Sequence, residues 1–209
     1  MKSIYPNQIP IFPLSGVIYF PKTNLPLNIF EERYRNLVND SIKNNKLMGM
    51  IQTKKNSNEV YKIGCLGKIS DFKKNKNGTI LINLTGLIRF EIVTELKNKK
   101  LYREFEVDYK NFEEDVEKRI ESSPSSELFN LFEKTERFFK RKGLLLNWNE
   151  FKKLEIEQQI NTISMIAPIS IEEKQKLLET KTVENKSKIL SEIIEFYNYE
   201  NNLNRNTIQ

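Results

Sequence analysis

The segment from Ile80 to Ile92 constrains the fold more than any other. Its even positions read Ile80, Ile82, Leu84, Gly86, Ile88, Phe90 and Ile92, and its odd positions are mixed: Leu81, Asn83, Thr85, Leu87, Arg89, Glu91 and Val93. A period of two puts alternate side chains on opposite faces, so one face is wholly apolar or glycine. This predicts a long strand curving over a core and bent at Gly86. A strand of this kind needs neighbours, and the sequence offers them. Leu47 to Thr53 is a short buried run. Val60 to Phe72 is strand-like, with Gly64 and Gly67 marking a bulge or a close backbone approach. Asn75 to Gly78 reads as a hairpin turn, and Leu101 to Tyr109 as a further strand. Ile9 to Leu14 is also apolar. Pro10 and Pro13 within it predict an edge strand, because proline has no ladder donor.

Between Leu14 and the next buried run lie an apolar loop, Val17-Ile18-Tyr19-Phe20-Pro21, and a helix. Asn28 as N-cap and Glu31 three residues later match a capping box. Phe30, Tyr34, Leu37, Val38, Ser41 and Ile42 share the helix's apolar face, and the end is expected near Asn44-Asn45. Several strands with one helix predict a small, partly closed barrel over residues 1–110.

Composition changes after Tyr109. Asn111 to Glu121 is acidic, and Ser123-Pro124 reads as an N-cap followed by a first helical residue. Leu128, Leu131, Phe132, Thr135, Phe138 and Phe139 then form a stripe, stopped by Lys140-Arg141-Lys142-Gly143. Further starts are marked by Asn147 with Glu150, Ser170 with Glu173, and Thr182. Four helices joined by short turns predict an antiparallel bundle over residues 111–209, with a frayed polar tail from Asn198. The fold class is therefore α+β.

Composition narrows the chemistry. There is no histidine and one cysteine, Cys65, which excludes an intramolecular disulfide, the usual Cys/His zinc sites and Ser-His or Cys-His nucleophile pairs. Cys65 sits in an apolar strand and reads as a buried thiol. Glu31-Glu32 and Glu172-Glu173 read as helix-start acids. No catalytic, metal or cofactor residues are assigned. No window approaches the roughly 18 apolar residues of a membrane span, and MKSIYPNQIP lacks a signal-peptide core, so a soluble cytoplasmic protein with no membrane partner is expected. The net charge of +6 is uneven. Residues 1–110 hold 19 Lys and Arg against 10 Asp and Glu. That excess fits either solvated lysine turns, at Lys73, Lys74, Lys76, Lys97, Lys99 and Lys100, or a nucleic-acid surface.

Four motifs, in order, resemble the N-terminal substrate-binding domain of Lon proteases. They are Phe12-Pro13-Leu14 with Phe20-Pro21 and the run from Pro26 to Arg35; Tyr61 to Ile69 (YKIGCLGKI); Leu84 to Ile92 (LTGLIRFEI); and Ile166 to Glu179 (IAPISIEEKQKLLE). Asn28 stands where that family usually has histidine. The resemblance implies a PUA-like β-barrel followed by helices, and a module that binds unfolded or client polypeptide. The chain has no P-loop, because its only Gly-Lys pair, Gly67-Lys68, lacks the required flanking residues. The reading is a free-standing, non-catalytic Lon-type domain linked to protein quality control. The loop residues Val17, Ile18, Tyr19, Phe20 and Pro21 are its candidate peptide contacts, because an exposed apolar loop is sticky; the other reading has the loop packed into the barrel. The alternative function is RNA or other nucleic-acid binding through the basic barrel.

Overall fold

The structure is a computed structural model that describes residues 5–55, 57–117 and 126–206, with side chains as far as residue 199. The chain divides into two compact units, Met1–Glu117 and Lys118–Gln209. The first is built from strands β1 (Gln8–Leu14), β2 (Asn24–Ile29), β3 (Leu47–Gln52), β4 (Ile63–Lys74), β5 (Ile80–Leu96) and β6 (Arg103–Asp108), with helix α1 (Glu32–Lys43) between β2 and β3. The sheet order is β2-β5-β4-β3-β1-β6, and β6 also pairs with β5. The pairings of β1, β3, β4, β5 and β6 therefore run in a closed circuit, and β2 lies outside it against β5. The fold is α+β.

The alternation in β5 holds as read. Ile80, Ile82, Leu84, Ile88 and Phe90 are buried, and the intervening side chains, Arg89 apart, are more exposed. The strand is irregular where expected, with its register against β4 shifting at Leu66/Gly67, opposite Gly86. Its long reach lets it pair with β2, β4 and β6 in turn. The core inside the circuit includes Ile9, Ile11, Leu66, Ile88, Phe90, Phe105 and Val107. A turn of 3-10 helix, Lys110–Asp115, follows β6. It places the Asp115 carboxylate on the buried Arg89 guanidinium at 2.7 Å, and the same carboxylate accepts the Arg89 backbone N–H at 2.9 Å.

Two expectations fail here. β1 is not an edge strand: it pairs with β3 in parallel and with β6 in antiparallel fashion. The prolines are tolerated because of where their nitrogens point. Val107 N–H donates to Asn7 O, so odd-numbered residues of β1 turn their polar groups to β6 and even ones to β3. Pro13 turns toward β6 beyond the last pair of that ladder, Ile11 with Arg103. Pro10 turns toward β3 ahead of the first pair there, Ile11 with Gly49. Neither nitrogen occupies a donor position. The second failure is the capping box at Asn28. Asn28 lies in β2 opposite Leu81, and α1 starts after Glu31, whose side chain pairs with Arg33 instead of capping. Phe30, expected on the buried helix face, precedes the helix and is 67% exposed. Tyr34, Leu37, Val38 and Ser41 are buried as read, with the Tyr34 ring stacked on Phe12 at 4.0 Å.

In the second unit, α6 (Val183–Asn206) packs on α2 (Ser126–Arg141), α4 (Ile156–Ile166) and α5 (Ile171–Glu179). Ser170 and Glu173 form the expected reciprocal capping box, Asn147 caps the short α3 (Trp148–Phe151), and Thr182 caps α6. Gly143 stops α2 with φ +70°. The four expected helices are five among the described residues. The segment opened by Asn147 turns at residues 152–155, where the Gln159 amide donates to Leu154 O at 2.7 Å. The helix continues past Asn198 to Asn206, beyond the expected start of fraying. Ser123 and Pro124 lie outside the described residues.

Candidate functional site

The loop named as a candidate contact is packed. Ile18, Tyr19, Phe20 and Pro21 are buried and Val17 is half-buried. Phe20, fully buried, is pinned by its neighbours: Thr23 Oγ1 donates to Phe20 O at 2.6 Å, and the backbones of Lys22, Thr23 and Gly86 exchange hydrogen bonds of 3.0 and 2.9 Å. Gly86 is required by this approach, since a Cβ there would stand 2.2 Å from Phe20 O. The Tyr19 hydroxyl is enclosed with no hydrogen-bond partner among the described residues. Burial holds its proton on far above the ordinary phenol range, and the nearby Cys65 thiol adds to the effect. A peptide reaches these side chains only if the loop first opens.

The exposed counterpart is β2. It is the only described strand of the sheet with a single partner. Gly86 N–H donates to Thr23 O, which sets the phase of the β2–β5 ladder. Leu25, Leu27 and Ile29 turn their backbone polar groups to β5, and Asn24, Pro26 and Asn28 turn theirs outward. All three outward residues are exposed. The free edge thus offers the N–H and C=O of Asn24 and Asn28, and the C=O of Pro26.

The sheet face beside this edge carries exposed apolar groups. Asn28 pairs with Leu81, which pairs in turn with Lys73 of β4. Leu81 is 42% exposed, and Phe30 follows two residues after Asn28, on the same side of the chain. At the other end the face is polar: Thr85 Oγ1 donates to Asn24 Oδ1 at 2.8 Å and lies 3.2 Å from Ser70 Oγ. The setting is basic. Residues 22–35 and 68–85 together hold seven Lys and Arg against three Asp and Glu. One of those acids, Glu31, is paired with Arg33.

Sequence reasoning did not find β2. The signal was present, since Leu25, Leu27 and Ile29 alternate with Asn24, Pro26 and Asn28. The N-x-x-E match at Asn28 competed with it for the same residues. Among the described residues no cluster of three or more His, Cys, Asp or Glu side chains stands ready for a metal, and no helix is long and apolar enough to cross a membrane.

Comparison with known proteins places this geometry. The chain resembles the Lon protease of Dictyoglomus thermophilum, with 28% identity over 187 residues that cover 87% of this chain and 23% of the relative. The Lon protease of Heliobacterium modesticaldum is 24% identical, covering 90% and 24% respectively. The chain therefore spans about a quarter of the length of these relatives. Among solved structures, a Lon N-terminal domain protein from Xanthomonas campestris shares the fold with a TM-score of 0.66 at 19% identity, over 88% of this chain and 96% of that one. The N-terminal domain of a Mycobacterium avium complex Lon protease gives 0.64 at 15% identity, over 90% and 98%. The family model described as the ATP-dependent protease La (LON) substrate-binding domain matches residues 8–195, a span that takes in strands β1 to β6 and all but the last turns of α6. This chain belongs to that LON substrate-binding domain family.

Proposed function

We propose that the chain is a non-catalytic recognition module for polypeptide, engaging unfolded or client protein in a quality-control role, through the β2 flank. The observation that carries this reading is the coincidence of an open backbone edge with exposed Phe30 and Leu81, in a chain whose family match is to a substrate-binding domain. Exposed apolar surface is costly to keep in water, and a large aromatic side chain left 67% exposed beside a strand with one open edge fits a contact surface. Among the described residues of the first unit, no arrangement of titratable groups suggests a reaction. The buried Arg89–Asp115 pair is occupied in holding the 3-10 turn to β5.

The test is a fluorescence-anisotropy titration against a labelled unfolded polypeptide and a labelled RNA, each at low and high salt. Saturable binding to the polypeptide is expected, weakened about tenfold or more in a Phe30→Ser, Leu81→Ser double variant that keeps the wild-type unfolding curve. Binding to RNA alone, falling steeply with salt through counterion release, overturns the reading.

A further inference from the structure

Resting on that reading, we propose that β2 takes up an extended polypeptide segment as an added strand, and that it selects segments in which acidic residues alternate with apolar ones. Three observations converge on this. The first is the hydrogen-bonding edge itself. Asn24, Pro26 and Asn28 face outward and are exposed, and no described group bonds their backbones. Three acceptors and two donors stand in a row at strand spacing, which is what an incoming extended chain requires. The second is the inner side of the same strand. Leu25 and Leu27 are only half-buried, because β2 has no outer neighbour to cover them. Side chains at every second position of an added strand fall over them. The third is charge. The flanking segments carry Lys22, Lys68, Lys73, Lys74, Lys76 and Arg35 against Asp71 and Glu32, once the Glu31–Arg33 pair is set aside. The other face of the added strand continues the face on which Leu81 and Thr85 pair with Lys73 and Lys68 of β4, so acidic side chains there lie in that positive field, beside the apolar Leu81.

The same features argue against a second copy of this chain as the occupant. Two β2 edges would bring two basic flanks together. If they met about their centres, Pro26 would oppose Pro26, with no donor on either side. A foreign segment supplies its own donors to the Pro26 carbonyl. Proline on an exposed edge therefore restrains self-pairing and leaves heterologous pairing open.

The experiment uses the full chain and a fluorescent nine-residue peptide alternating valine and glutamate. Companions carry lysine for glutamate, or N-methyl groups on one or the other alternate set of residues. The N-methyl groups remove the donors from one edge of the peptide at a time. Binding is expected for the parent peptide, with a loss of about tenfold or more for the lysine peptide and for one N-methylated set but not the other. Amide resonances of Asn24 and Asn28 are expected to shift on binding. Equal binding of both N-methylated sets, or shifts confined to residues away from β2, overturns strand addition while leaving polypeptide recognition intact. Failure to bind any unfolded polypeptide removes both. A dimer in sedimentation velocity that the peptide dissolves shows β2 to be a self-pairing edge and overturns the choice of occupant.

Discussion

Phe20 and Phe30 show how little residue type says about role. Both are phenylalanines in short motifs that resemble the same family, ten residues apart, and one is fully buried while the other is 67% exposed. Phe20→Ala is expected to cost about 3–5 kcal/mol in urea unfolding, from lost transfer energy and the cavity left behind. Phe30→Ala is expected to stay within about 0.5 kcal/mol of wild type, as exposed substitutions do. If Phe30 matters, it matters in the binding titration. Arg89 gives a parallel case. It stands at an odd position of β5, among the mixed side chains, yet it is as buried as its apolar neighbours. The reason is Asp115, 26 positions further on, which supplies two carboxylate oxygens and a stabilising charge. Asp115→Ala leaves that guanidinium buried without its counter-charge and is expected to cost about 3–5 kcal/mol. Equilibrium denaturation checks it.

At the scale of elements, what could be read from sequence depended on whether a signal was local. The alternation of β5, the turn at Gly78 and the capping box at Ser170 are written in consecutive residues, and the structure follows them. The prolines of β1 were misread because a strand's hydrogen-bonding phase depends on its partners, and β6 lies almost a hundred residues away. β2 was missed because two local signals overlapped at Asn28 and the stronger-looking one was wrong. Its alternating leucines won through pairing with β5, a tertiary gain that the capping motif could not match. The candidate site turns on the same distinction. The apolar loop was legible as apolar, but its burial depends on Gly86 leaving room for the Phe20 carbonyl. The true edge emerged only once the circuit of strands was known.

At the scale of the whole chain, the first unit is tied together by tyrosines as well as strands. Tyr102 donates to Asp40 at 2.8 Å, joining the segment before β6 to α1, and Tyr109 donates to Pro6 O at 2.8 Å. Burial, helped by the Asp40 hydrogen bond, pushes the Tyr102 phenol up to about 12, and Tyr19 and Tyr109 are raised by burial too. Because the folded state holds these protons more tightly than the unfolded chain, their contribution is fully present below about pH 10 and is lost as pH rises above it, through about 12 for Tyr102 and higher for the other two. Ultraviolet titration of tyrosinate is expected to show a late group of tyrosines that ionises together with loss of the near-ultraviolet circular dichroism signal. An early, independent ionisation of all eight tyrosines contradicts that linkage.

The closed circuit of strands also sets a timetable. Ile9 pairs with Phe105, so β1, once synthesised, waits for β6 before that ladder can form. At ordinary rates of synthesis, some 5–20 residues per second, the wait is on the order of 5–20 s. Through that interval a nascent copy can pair β1 with β3, but the other edge of β1 stays open because β6 has not yet been translated. Long-range closure of this kind is slow even in a finished chain. During its own synthesis, a protein proposed to receive unfolded segments is for that interval an unfolded segment itself.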